Sequence, residues 1–211
     1  MIKVFYTNFD KELSSETFGD YLMDLPDILA KKINRYRKWE DRQSVLFGKL
    51  LLLKGLQEYG FPTNCLKQLE YNKMGKPYLP SAPSFNISHA DNYVVCAFNP
   101  KGRIGVDIEK IKSVELNDYQ FLFDKESFRA IRQAADPEGA FFENWTIREA
   151  ILKADGHGLT EDVKNIILSD QIAEYKETQW YIKPLLLQVG YLTHLAIEHQ
   201  EEAIEVKKIV F

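Results

Sequence analysis

Four side chains in two stretches of this chain have the types and spacing for phosphate chemistry. In Arg103-Ile104-Gly105-Val106-Asp107-Ile108-Glu109-Lys110, the aliphatic Ile104, Val106 and Ile108 alternate with Gly105, Asp107 and Glu109. A strand there buries the aliphatic residues on one face and carries both carboxylates on the other. Glu149 stands 42 residues after Asp107, in Trp145-Thr146-Ile147-Arg148-Glu149-Ala150-Ile151-Leu152-Lys153. On a helix Thr146, Glu149 and Lys153 fall at i, i+3 and i+7, while Ile147, Ala150, Ile151 and Ala154 make a separate apolar stripe. A helix that turns Glu149 toward the strand brings three carboxylates and an ammonium together. Hard oxygen ligands of this kind suit Mg²⁺, which keeps several waters and shares its shell with phosphates.

Each stretch alone has an ordinary explanation. Alternating acids on a strand are usually its solvated face, and Glu-x-x-x-Lys on a helix is usually a surface ion pair worth about 0.2–0.5 kcal/mol. Together, and with Gly105, Trp145 and Gly156 at fixed places, the two are much more specific. The pattern Ile-Gly-Val-Asp-Ile-Glu followed by Trp-Thr-x-x-Glu-Ala-x-x-Lys-x-x-Gly resembles the 4′-phosphopantetheinyl transferases of the surfactin-synthetase-activating type. The resemblance extends upstream to Gly75-Lys76-Pro77 and to Asn86-Ile87-Ser88-His89, and covers about residues 30 to 170.

The resemblance implies an α+β fold of two pseudo-symmetric halves, residues 1–101 and 102–211, with the active site between them. It implies that the 4′-phosphopantetheine group of coenzyme A passes to a serine of an apo acyl or peptidyl carrier protein, with Mg²⁺, releasing adenosine 3′,5′-bisphosphate. On this reading Asp107, Glu109 and Glu149 hold the metal, and Lys153 stabilises the departing phosphate. Glu149 or a metal-bound water takes the serine proton. Lys76, Ser88 and His89 would contact coenzyme A phosphates. Arg42 is the candidate for the 3′-phosphate, although Ser44 occupies the register where the family commonly has arginine. Arg148 stands where lysine is frequent, so a planar fork replaces a point charge in any phosphate or carrier contact there. Glu126 matches a family glutamate near the carrier-facing side, or is a plain acid at a helix start.

The whole chain is compatible with that reading. Its 211 residues, 45% hydrophobic and 27% charged, are enough for a sizeable core. The net charge of −4 argues against a nucleic-acid binder. No apolar run of membrane-spanning length exists, and the opening Met1-Ile2-Lys3-Val4-Phe5-Tyr6 lacks a signal-peptide layout, so a cytoplasmic protein is expected, and a length that fits both halves in one chain suggests a monomer. Cys65 and Cys96 have no metal or disulfide spacing.

The elements that must position the site follow from periodicity and punctuation. Ile2 to Tyr6 alternates as a strand, Ser14 starts a helix, and Leu25-Pro26-Asp27 starts another that ends in Lys31, Lys32, Arg35, Arg37 and Lys38. That cationic cluster is either a solvated helix end or a landing site for phosphates. Glu40 to Tyr59 is the longest helical stretch, apolar over more than one face and closed by Gly60 and Pro62. Short strands are expected at Leu69 to Asn72, Phe85 to His89 and Tyr93 to Phe98. A helix start lies near Asp124, and Asp136-Pro137 precedes the Glu149 helix, which runs out at Ala154 to Leu159. Beyond it Ile166–Leu168, Gln179–Lys183, Leu185–Val189, His194–Glu198 and Ala203–Ile209 suggest strands of a second sheet.

Two other functions use the same residues. A Mg²⁺-dependent nucleotide pyrophosphohydrolase would keep the acids and change only the acceptor, to water. A non-catalytic module binding coenzyme A or a carrier protein has no physical reason to keep mutually repelling acids assembled.

Overall fold

The computed structural model describes residues 1–156, 161–200 and 203–211, so His157, Gly158 and Leu159 of the expected helix ending lie outside the described residues. The architecture is α+β, in four layers: a helix, two sheets face to face, and a second helix. The first sheet has the order β11-β1-β5-β4, from β1 (Ile2–Asn8), β4 (Ser84–Ala90), β5 (Tyr93–Asn99) and β11 (Ile204–Lys208). The second has the order β6-β10-β9-β8-β7, from β6 (Ile104–Lys110), β7 (Ile167–Ser169), β8 (Ile172–Tyr175), β9 (Thr178–Pro184) and β10 (Tyr191–Ile197), antiparallel throughout. A two-stranded ribbon, β2 (Glu70–Tyr71) with β3 (Pro77–Tyr78), stands apart.

The two-residue period of each strand assigns its side chains to layers. On the first sheet Phe5, Cys96 and Phe98 face the long helix α3 (Trp39–Glu58), which contributes Leu46, Leu50, Leu53 and other leucines to that core. The opposite parity, Ile2, Val4, Val95 and Ala97, meets Ile104, Val106, Ile108, Leu195 and Ile197 of the second sheet. The far face of the second sheet packs on α5 (Pro137–Asp155), where Ala150, Ile151 and Ala154 lie against Trp180, Ile182 and Ala196. Because β6 gives its aliphatic residues to the inter-sheet core, Gly105, Asp107 and Glu109 face α5.

Local chemistry fixes where the helices start and stop. Ser14 Oγ accepts the Thr17 N–H at the head of α1 (Ser15–Met23), while α2 (Asp27–Ile33) starts after Pro26. Asp124 caps α4 (Lys125–Gln133) through Glu126 and Ser127 N–H. Asp136 caps α5 through Gly139 N–H at 2.9 Å, with Pro137 in the first turn and Gly156 closing it at φ +82°.

Two expectations are corrected, and one strand goes unmarked in the sequence. Leu185–Val189 is the connection from β9 to β10, with Leu186 and Val189 exposed, although Leu185 and Leu187 do reach the inter-sheet core. The strand over Ala203–Ile209 forms, as β11, but in the first sheet, where it pairs parallel with β1 from Ile2↔Ile204 to Tyr6↔Lys208. β8 was silent in the sequence because its turn into β9 uses Lys176 (φ 47°) and Glu177 (φ 62°), where Gly or Asn would have signalled a hairpin. Among the described residues no helix is long and apolar enough to cross a membrane.

The approach of α5 to β6 depends on one missing side chain. A Cβ at Gly105 would lie 1.9 Å from Ala150 O and 2.5 Å from Ala154 N, both helix backbone that cannot step aside. Gly105→Ala is therefore expected to cost about 1–3 kcal/mol, measured as a lower urea midpoint at unchanged slope. An unmoved midpoint would mean that α5 does not rest on the β6 backbone.

Candidate active site

The seam between β6 and α5 opens at the edge where β4 of the first sheet comes alongside β6. Asn86 stitches the two sheets there, its Oδ1 accepting the Val106 N–H at 2.9 Å. Two residues on, Ser88 Oγ donates to Asp107 Oδ1 at 2.9 Å, and Lys153 Nζ donates to both, at 2.9 Å to Ser88 Oγ and 2.5 Å to Asp107 Oδ1. One residue each from β4, β6 and α5 thus closes a triangle of charge-assisted hydrogen bonds.

Asp107 is 3% exposed and Glu149 7%. Burial raises the Asp107 carboxyl above the usual range, against the opposing pull of Lys153 and Ser88. Burial also raises Glu109, with the Asp107 charge adding to it and a hydrogen bond from the Trp145 side chain opposing. Glu149 is pushed up to about 7, first by burial, then by Asp107 and Glu109 against the attraction of Lys153. Glu149 thus feels both other carboxylates and Glu109 feels Asp107, as like charges in one seam do.

Asp107 Oδ2 and Glu149 Oε1 are buried without a hydrogen-bond partner. A buried carboxylate oxygen needs a donor or a cation. Among the described residues, however, no three His, Cys, Asp or Glu side chains form a ready-made metal cluster. The donor set fits an ion that brings most of its own shell, as Mg²⁺ does, and not a closed protein cage.

His89 follows Ser88 on β4 and turns to the other side of the strand's edge, into a hollow of about 710 Å³ that Trp39, Asp41, Ser44 and Lys110 also line. The ring stays exposed at the strand's end; what desolvation it has, then Lys153, lowers its pKa, with Asp41 and Asp107 pulling the other way. Lys38, the last of the cationic cluster, lines the same hollow.

Other expected contacts are elsewhere. Arg42 pairs with Glu12 at 3.2 Å, lies over the Phe18 ring and lines a different hollow. Lys76 Nζ donates to Ala154 O at 3.0 Å and Ile104 O at 3.4 Å, both backbone. Arg148 is corrected from a phosphate or carrier contact to an interior strut: it is 1% exposed, donates to Ile166 O at 2.7 Å and lies over Phe123. Glu126 is exposed in the first turn of α4.

The sequence reading missed His194. It lies on β10 directly opposite Asp107 in the register, 4% exposed, with Nδ1 2.7 Å from Thr146 Oγ1. Thr146 Oγ1 is 2.8 Å from Phe142 O and spends its one proton there, so the imidazole Nδ1–H is the donor to Thr146. Burial lowers its pKa to about 4, which keeps the ring neutral. Nothing around His194 in the sequence marks it, since only strand pairing puts it beside Asp107.

Two family models match the chain in tandem. One described as "4′-phosphopantetheinyl transferase, N-terminal" covers residues 13–101, and the "4′-phosphopantetheinyl transferase superfamily" covers residues 103–203. The 4′-phosphopantetheinyl transferase gsp of Aneurinibacillus migulanus is 29% identical over 162 residues, 75% of this chain and 68% of that protein. The 4′-phosphopantetheinyl transferase Sfp of Bacillus subtilis (strain 168) is 27% identical over 164 residues, 75% of this chain and 72% of that one. The solved holo-[acyl-carrier-protein] synthase of Thermotoga maritima is a remote likeness, with a TM-score of 0.35 and 10% identity over 47% of this chain and 64% of that one.

The raised Glu149 carboxyl has a consequence for stability. Between its ordinary 4.5 and the folded value of about 7, the folded chain holds a proton that the unfolded chain has lost. This group's contribution to stability is therefore fully present below about 4.5, lost as pH rises to about 7, and flat above. Glu149→Gln removes the dependence. With chelator present, the melting temperature of the variant relative to wild type should rise across that interval and then level off. A gap that stays constant with pH would refute the buried carboxyl.

Proposed function

Given that the chain belongs to the 4′-phosphopantetheinyl transferase superfamily, an enzyme family that transfers phosphopantetheine to carrier proteins, we propose that coenzyme A is the donor and Mg²⁺ the metal. The observation that carries this reading is the pair of buried, unpartnered oxygens, Asp107 Oδ2 and Glu149 Oε1, with the Lys153 ammonium bonded to the other Asp107 oxygen. That arrangement suits a cationic centre facing a diphosphate. The hollow beside His89, about 710 Å³, is within the roughly 300–1,000 Å³ range of ligand pockets.

The carrier serine oxygen attacks the pantetheine-side phosphorus, and the bond from that phosphorus to the bridging oxygen breaks, releasing adenosine 3′,5′-bisphosphate. Phosphoryl transfer asks for in-line placement and for neutralisation of spreading charge. A Mg²⁺ held by the unpartnered oxygens of Asp107 and Glu149, with Glu109 as the neighbouring acid and waters completing its shell, would supply much of that neutralisation. Lys153 faces the leaving phosphate from the end of α5 and stabilises its charge. Ser88 holds Lys153 in place and presents a hydroxyl beside it. His89 donates a hydrogen bond to a phosphate oxygen from the wall of the hollow. Glu149 or a water beside it accepts the serine proton, and Trp145 fixes the Glu109 carboxyl through its side-chain hydrogen bond. Ser88, Asp107, Glu149 and Lys153 come from one chain, so a monomer suffices.

The deciding experiment incubates the pure protein with coenzyme A, Mg²⁺ and a panel of apo acyl and peptidyl carriers, and reads each carrier's mass. A gain of one phosphopantetheine on at least one carrier is expected. Release of phosphopantetheine without any carrier would point to a hydrolase instead. Asp107→Ala should lower loading roughly a hundredfold or more while the fold survives, because the change also relieves repulsion among the acids. Lys153→Ala should lose far more kcat than coenzyme A affinity, whereas equal losses would make Lys153 a ground-state contact.

A further inference from the structure

The helix carrying Glu149 and Lys153 is gripped at its far end by a loop from the first half of the chain. Asn72 Nδ2 donates to Gly156 O at 3.1 Å, and Lys76 Nζ donates to Ala154 O at 3.0 Å. The same ammonium reaches Ile104 O, at the first residue of β6, at 3.4 Å. The last carbonyls of a helix have no partner inside it and carry its partial negative charge, so two donors, one of them cationic, meet an unfilled need there.

The loop arrives preformed. Asn72 Oδ1 accepts the N–H groups of Met74 and Lys76, each at 2.9 Å, and the Asn72 N–H closes the turn onto Lys76 O at 3.0 Å. Gly75 supplies the left-handed residue, φ +84°, that so tight a turn needs. On the helix side, Gly156 leaves room for the lysine stem, since a Cβ there would stand 3.1 Å from Lys76 Cδ. Both surfaces are shaped for this contact.

We propose that Asn72 and Lys76 are positioning residues for the transfer reaction, a clasp on the last turn of α5 that sets where Lys153 stands against Asp107. Lys153 immediately precedes Ala154, whose carbonyl the clasp holds, and its ammonium makes the 2.5 Å contact to Asp107 Oδ1. By touching Ile104 O as well, Lys76 ties the helix end to the strand that carries Asp107 and Glu109. Releasing either donor lets the end of α5 lift from β6 and Lys153 leave its partner. The kinetic part of this inference rests on the transferase reading. The structural part does not.

The test uses Asn72→Ala and Lys76→Met with two readouts. The first is amide hydrogen exchange in the 149–156 segment, measured with α3 as internal control. Each variant should exchange roughly three- to tenfold faster in that segment, the size expected for one net hydrogen bond, with α3 unchanged. The second is carrier loading, where kcat should fall by a similar factor while the KM for coenzyme A stays within about twofold. Unchanged exchange with a raised KM would overturn the clasp and make Lys76 a ligand contact. Acceleration spread over α3 as well, or faster exchange at α5 with unchanged kcat, would reduce it to general stability. If the wild-type protein loads no carrier, the transferase reading fails while the exchange readout still decides the clasp.

Discussion

Three carboxyl groups and a single ammonium gathered in a seam largely closed to water set the terms for the surrounding structure. Each acid loses hydration, Glu149 feels both Asp107 and Glu109, and Lys153 offsets only one charge, so all three protonate more readily than in water. Left to themselves these groups would separate. They are held because β6 is anchored from behind by Ile104, Val106 and Ile108 in the inter-sheet core, and α5 by Ala150, Ile151 and Ala154 on the other side. The apolar layers thus hold in place an electrostatic arrangement that is unfavourable in isolation, as at other sites where charge is concentrated for binding or catalysis.

The four-layer order explains why the site sits where it does. β6 and α5 belong to the second sheet and its helix, yet Ser88 and His89 come from β4 at the edge of the first sheet. The inter-sheet core brings that edge alongside β6, and the Asn86 amide, by accepting the Val106 N–H, fixes the register between strands that share no ladder. A slip of one residue would turn Ser88 away from Asp107 and put His89 in its place.

Much of this was legible in the sequence. The alternation over Ile104 to Lys110 gave the face that carries Asp107 and Glu109, and the three- and four-residue spacing of Thr146, Glu149 and Lys153 gave the opposing helix face. Ser14 and the Asp136-Pro137 pair gave helix starts. Features that depend on tertiary neighbours stayed hidden. His194 is beside Asp107 only because β10 pairs with β6. Arg148 reads as a phosphate or carrier contact until α4 and the segment at Val163–Ile166 fold over it. Lys76 lies in a motif that suggests a phosphate contact, and its partners, two backbone carbonyls, leave no trace in side-chain pattern.

The pairing of β11 with β1 bears on the order in which the molecule can assemble. Strands β1, β4 and β5 are all made within the first 99 residues, but their sheet gains its outer member only when residues 204–208 arrive. Until then β1 offers a bare backbone edge on a nascent chain, and such an edge invites pairing with other molecules. When β11 docks, Phe211 stacks on Phe47 with ring centres 5.0 Å apart and meets Tyr21 edge-on, tying the late segment to α3 and α1. Contacts between residues some two hundred positions apart slow the final step of folding. The first sheet is therefore completed last, by a strand made some two hundred residues after the one it pairs with.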